Sequence, residues 1–168
     1  MCGIFGFKLN RALNESDLNK SLKYLNLLIN RGPDNQGYYI DKENGVFLGH
    51  TRLSIIDLSK ESNQPFIKDN SVIVYNGEVY NFKELKEELN YSNFLTNSDT
   101  EVLLSLWQKN KLDGLRKIDG MFAFAIYENK ELYIGTDYFG EKPIYYLKND
   151  QGFYFSSEPK VLVEFLNL

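Results

Sequence analysis

Four short apolar runs, at 121–127, 132–137, 144–148 and 152–156, follow one another with only a few polar residues between them. Turns that short leave no room for a crossover helix, so antiparallel pairing is the economical reading. Strand-like runs also occur earlier, at 3–9, 37–40, 46–56 and 72–75, with Asn44-Gly45 in the turn between the second and third. Helical spacing separates them. Leu18, Leu22, Leu25 and Ile29 fall on one face of a helix that starts within 14–17 and stops at Arg31-Gly32-Pro33. Phe82, Leu85 and Leu89 share a face within 81–89. Ser98-Asp99-Thr100-Glu101 matches a capping box, and its helix carries Val102, Leu103, Leu106 and Trp107 inward. Stretch 57–69 reads as polar loop, and Ser157 followed by Pro159 opens a last short helix. Strands outnumber helices and do not alternate with them. That predicts an α+β fold, with helices covering antiparallel sheets, over a doubly wound parallel one.

A chain of 168 residues without repeats or a low-complexity linker is expected to form one domain, 1–168. Its net charge of −4 argues against nucleic acid or an anionic membrane surface as partner, because phosphate recognition needs a basic face. No apolar run approaches the roughly 18–20 residues that span a bilayer, and the N-terminus lacks the charge pattern of a signal peptide. A single cysteine cannot build an intrachain disulfide framework. The expectation is a soluble, cytoplasmic protein.

That cysteine, Cys2, stands where loss of Met1 would give it a free α-amine. A thiol with a pKa near 8.5 needs a base, and an α-amine of roughly 7.7–8.0 would supply one within the same residue. The plainer reading makes Cys2 a small buried hydrophobe beside Ile4 and Phe5. Asn76-Gly77, between two strand-like segments, is a strong signal for a tight hairpin turn. The same pair offers an amide NH2 and a backbone N–H to an oxyanion. Arg52 lies in an otherwise apolar strand, where it is paired, at an edge, or holding a planar anion. Asp99 is explained by the first turn of its helix and Glu78 by a solvated hairpin, yet one arginine and two carboxylates suit a free amino acid. His50, the lone histidine, reads as a structural residue. One cysteine and one histidine cannot form a usual zinc site. No G-x-x-x-x-G-K-[ST] loop occurs, and 135–140 lacks the context of a dinucleotide motif.

Taken together, the motifs resemble a family. Met-Cys-Gly-Ile-Phe-Gly at 1–6, Arg-Gly-Pro-Asp at 31–34, Gly-His-Thr-Arg-Leu-Ser-Ile at 49–55 and Asn-Gln-Pro at 63–65 are similar to class II glutamine amidotransferases. Tyr-Asn-Gly-Glu-Val-Tyr-Asn at 75–81, Ser-Asp-Thr-Glu at 98–101, Gly-Met-Phe-Ala-Phe-Ala at 120–125, Asp-Tyr-Phe-Gly-Glu-Lys-Pro at 137–143 and Ser-Ser-Glu-Pro-Lys at 156–160 continue the likeness to the end of the chain. Within that family the chain resembles the N-terminal glutaminase domain of glutamine-dependent asparagine synthetases. The resemblance implies a four-layer αββα sandwich of the N-terminal nucleophile hydrolase type. It implies that Cys2 attacks the amide of L-glutamine, with Asn76 and Gly77 forming the oxyanion hole. It also implies that Arg52 grips the substrate carboxylate, Leu53, Ser54, Ile55 and Ile56 line the pocket, and Glu78 and Asp99 hold the ammonium.

The family normally continues into a synthetase domain with a Ser-Gly-Gly-x-Asp-Ser type phosphate loop, which is missing here. The chain is therefore expected to carry no cofactor and no metal. ATP and Mg belong to a synthetase domain or subunit, which joins glutamine as a partner; self-association is compatible with this. The acceptor of the ammonia is expected to be aspartate, the alternatives being another carboxylate, such as one on a cell-surface sugar, or a silent glutamine-binding module. Methionine is removable before a residue as small as cysteine, so Met1 is expected to come off.

Overall fold

The structure, a computed structural model, describes residues 1–90 and 93–168. Two antiparallel sheets carry the chain. Strands β1 (Gly3–Leu9), β2 (Asn35–Asp41), β3 (Val46–Arg52), β8 (Tyr145–Asn149) and β9 (Gly152–Ser156) form one sheet in the order β2-β3-β1-β9-β8. Strands β4 (Phe66–Lys68), β5 (Ser71–Val79), β6 (Gly120–Glu128) and β7 (Glu131–Thr136) form the other in sequence order. Helices α1 (Glu15–Leu25) and α4 (Pro159–Leu166) cover the first sheet, and α2 (Phe82–Leu89) and α3 (Asp99–Leu115) cover the second. The α+β expectation holds, with the four layers αββα.

Alternation along the strands sorts the apolar residues into three layers. Phe5, Phe7 and Leu9 of β1 face outward, packing with Leu25, Phe47, Leu162 and Phe165. Ile4 faces inward with Val46, Leu48, Val72, Val74, Ala123, Ala125 and Phe155 between the sheets. Ile73, Tyr75 and Val79 of β5 point to the far side, against Leu85, Val102, Leu103, Leu106 and Trp107. Each fully buried side chain of this size contributes about 1.5–3 kcal/mol, so apolar burial supplies most of what holds the layers together.

Several expectations are corrected. Asn76-Gly77 is not a turn: β5 runs through it to Val79, because β6 pairs with the whole segment, Asn76 opposite Ala123 and Gly77 opposite Phe122. The strand predicted over 46–56 ends at Arg52, where its partners end, at Gly3↔Thr51 and Asn35↔Arg52. Stretch 57–69 contains a 3-10 turn, Lys60–Ser62, and strand β4. The first helix tightens into a 3-10 segment, Asn26–Arg31, so Leu28 becomes the buried residue; Leu22, within α1, is exposed. The last helix begins after Glu158, which makes no side-chain cap, and has Pro159 in its first turn, while the Ser157 hydroxyl accepts from the Ile4 N–H.

The capping box at 98–101 is half made. Ser98 accepts from the Thr100 N–H, but Glu101 does not reach back to the cap. Instead its fully buried carboxylate accepts from the Leu95 N–H (3.1 Å), the Thr96 N–H and hydroxyl (2.8 Å each) and Lys68 Nζ (3.1 Å). Burial alone would raise its pKa; these donors outweigh burial and hold it below the usual glutamate value. Glu101→Gln is expected to cost about 1–3 kcal/mol in urea unfolding at pH 7. The wild-type advantage should be complete above the unfolded glutamate pKa of about 4.3 and disappear as pH falls through the lower folded value. A difference that persists unchanged at pH 3 would contradict this account.

Candidate active site

Strand alternation also decides what stands where the apolar inter-sheet layer ends. The inward row of β3 reads Val46, Leu48, His50, Arg52; that of β5 reads Val72, Val74, Asn76; that of β1 reaches Cys2 one step before Ile4. The three rows turn polar at the same end of the sandwich. There Cys2, Arg52, Asn76, Gly77, Glu78 and Asp99 line one cavity of about 100 Å³, together with Leu53, Ile55 and Ile56. Met1 forms part of its wall.

Cys2 is held from several sides. Its carbonyl accepts from Arg31 Nε at 2.9 Å, and Arg31 is paired with Glu158 at 3.3 Å. Its Sγ lies against the Leu53 backbone, 3.4 Å from the N–H that donates to it and 3.7 Å from the carbonyl. Gly3 lets the strand pass this closely, since a Cβ there would sit 2.6 Å from Thr51 Oγ1 and 2.9 Å from Leu28 Cβ. Burial raises the thiol pKa above its ordinary value, against the opposing pull of the Leu53 N–H, the N-terminus and Arg52.

Two donors face the cavity from β5. Asn76 is 1% exposed, and its Nδ2 has no hydrogen-bond partner among the described residues. Buried amides are almost always paired, so an orphan on a cavity wall points to a ligand. The second donor follows from the two-residue period. The N–H groups of Tyr75 and Val79 point away from β6, the first to Gln64 Oε1 at 2.6 Å and the second to Asp99 Oδ2 at 3.0 Å. Gly77 lies between them, so its N–H faces the same side with the cavity before it. Glycine is required there, because a Cβ would sit 2.3 Å from the Met121 carbonyl.

The charged groups are arranged around these donors. Arg52 is 6% exposed; it donates to the Ser59 carbonyl at 2.9 Å, to Asn63 Oδ1 at 2.6 Å and to the Asp57 carbonyl. A guanidinium has five N–H groups, so two remain for a ligand. Asp99 accepts from the Tyr75 hydroxyl at 2.8 Å as well as from Val79, and burial raises its pKa. Ser54 is the one expected pocket residue that does not line the cavity; its N–H donates to Asp34 Oδ2 at 2.7 Å. His50 is fully buried, with Nε2 3.1 Å from the Tyr75 carbonyl, and burial pushes its pKa down to about 3. It is a neutral bridge between the sheets, as the structural reading held. Sequence reasoning gave no role to Gln64, Tyr75, Met121 or Lys142, although all four lie inside the motifs quoted for the resemblance. Among the described residues no group of three or more His, Cys, Asp or Glu could hold a metal ion. No helix among them is long and apolar enough to cross a membrane.

The family described as glutamine amidotransferase domain matches residues 1–168. Asparagine synthetase [glutamine-hydrolyzing] 1 of Bacillus subtilis is 40% identical over 171 residues, covering 97% of this chain and 27% of that protein. Asparagine synthetase B [glutamine-hydrolyzing] of Escherichia coli is 37% identical over 169 residues, covering 97% of this chain and 30% of that protein. The chain thus spans less than a third of the length of these relatives. A solved structure of glutamine phosphoribosylpyrophosphate amidotransferase from B. subtilis superposes with a TM-score of 0.80 over 99% of this chain and 44% of that one, at 22% identity. That likeness is one of fold.

Two measurements check the site. Asn76→Ala breaks no hydrogen bond of Nδ2, so its stability loss should be about 1 kcal/mol, the small end for a buried polar residue. In chain that retains Met1, the rate of thiol alkylation should still be climbing above pH 9, because burial raises the Cys2 pKa. A plateau below pH 8 would contradict it.

Proposed function

The chain belongs to the glutamine amidotransferase domain family, and on that premise we propose that it hydrolyses L-glutamine to glutamate and ammonia at Cys2. In this reading Met1 is removed and the Cys2 α-amine takes the thiol proton. The thiolate then attacks the side-chain amide carbon. The carbonyl oxygen becomes an oxyanion, accepting from Asn76 Nδ2 and the Gly77 N–H, and on collapse the α-ammonium returns its proton to departing ammonia. A water, deprotonated by the same amine, cleaves the thioester to glutamate and restores the thiol. Arg52 takes the substrate carboxylate with its remaining donors, and Glu78 and Asp99 take the ammonium. The observation that carries the reading is the orphan amide of Asn76 on the wall of the Cys2 cavity.

The ammonia would be delivered to an ATP-dependent synthetase domain or subunit in the cytoplasm, with aspartate as the acceptor and asparagine the product. The relatives' names and their greater length support that assignment. ATP and Mg2+ would act there, since no phosphate loop occurs in this sequence.

Glutaminase assays test the reading on protein whose intact mass shows loss of Met1. Cys2→Ala should release no ammonia above background. Asn76→Ala should lower kcat about 10²–10³-fold, the usual effect of removing one oxyanion donor. Ammonia release by Cys2→Ala at the wild-type rate would overturn it.

A further inference from the structure

The loop after β7 brings into the cavity a lysine that none of the roles above uses. Asp137, buried at the start of that loop, accepts backbone N–H bonds from Phe122 (3.0 Å), Phe139 (3.0 Å), Glu141 (2.9 Å) and Lys142 (3.1 Å). Burial alone would raise its pKa; the four donors outweigh burial and keep it lowered, so the loop is wound around a fixed anion. The loop ends by setting Lys142 into the cavity wall with Cys2, Gly77, Glu78 and Met121. Lys142 is 8% exposed, and the partner of its Nζ among the described residues is Met1 Sδ at 3.3 Å. A thioether is a weak acceptor, whereas buried ammonium groups are ordinarily paired with anions.

We propose that Lys142 is an electrostatic positioning residue for the nucleophile: once Met1 is gone, its ammonium stands beside the new N-terminus and keeps the Cys2 α-amine in its free-base form. The proposal rests on the glutaminase reading. A like charge nearby disfavours the ammonium form of an amine. The other titratable groups on this cavity come from β3 (Arg52), the loop after it (Asp57), β5 (Tyr75 and Glu78) and the start of α3 (Asp99). Asp57 is occupied by the Ser59 and Asn97 N–H groups, and Asp99 by Tyr75 and Val79. Arg31 and Glu158, at the Cys2 carbonyl, pair with each other. Bound glutamine answers Arg52 with its carboxylate, and its single ammonium is shared between Glu78 and Asp99. Lys142, whose Nζ lies 3.3 Å from the Met1 side chain, is the cation placed beside the new amine, and the α-amine responds to it by staying unprotonated, ready to accept the thiol proton.

The test compares processed wild type, Lys142→Met and Lys142→Arg, each with Met1 removal verified by intact mass. Because the chain holds one cysteine, 15N-cysteine labelling lets NMR titrate that amine alone. Lys142→Met should raise the amine pKa by about one unit and move the acid limb of the kcat profile by as much. At pH 7 kcat should fall about fivefold, recovering above pH 9, as expected for an amine returned to about 7.7–8.0. Lys142→Arg should restore both. Lys142→Gln serves the same purpose if the methionine variant does not fold. An amine that titrates alike in wild type and the neutral variants overturns the proposal, as does a kcat loss equal at every pH. If even wild type releases no ammonia, the glutaminase reading fails, and the NMR titration still decides the role of Lys142.

Discussion

Ile4, Val46, Leu48, Val72, Val74, Ala123, Ala125 and Phe155 press the two sheets together, and the two-residue period of the strands determines where that apolar layer stops. Each inward row carries apolar side chains up to one level and then a polar one: Ile4 gives way to Cys2, Leu48 to His50 and Arg52, Val74 to Asn76. Because antiparallel pairing fixes the register, these polar groups meet at one end of the sandwich. A one-residue slip in β5 would turn Asn76 out to the helical side and put Tyr75 in its place.

Rigidity at the site follows from the same frame. His50 reaches across the layer to the Tyr75 carbonyl, and Gln64 and Asp99 take the neighbouring outward N–H groups of β5. With Tyr75 and Val79 satisfied, the N–H between them is the one left to face the cavity. Beyond Ile73, where pairing with β4 stops, the open side of β5 thus becomes a donor surface limited to one residue. Opposite it, Arg31 and Leu53 fix both ends of Cys2. The polar groups committed here, an orphan amide and a buried arginine among them, stabilise the fold less than apolar residues would. That is the ordinary bargain at a functional site.

Much of this was legible in the chain itself. Period-two runs with short turns dictated antiparallel sheets, and the spacing of Leu85, Leu89, Val102, Leu103 and Leu106 marked the covering helices. The errors have local causes. Asn76-Gly77 carries turn chemistry, but pairing with nine consecutive residues of β6 overrides it. Glu101 sits where a capping box would use it, yet the Leu95 and Thr96 N–H groups bind it more completely. The first helix tightens after Leu25, so Leu28 replaces Ile29 in the core.

Fold class, family and a lone cysteine next to the initiator methionine can all be read from the chain, because each is written in local pattern or ordered motif. The packed fold was needed to show that Asn76 is an unpaired donor and not a turn residue, that Ser54 lies outside the cavity lining, and that Lys142 joins the cavity from 140 residues away. Those facts depend on strand register and on a loop wound about Asp137. Both are set by contacts between segments far apart in the chain, and no local spacing can record them.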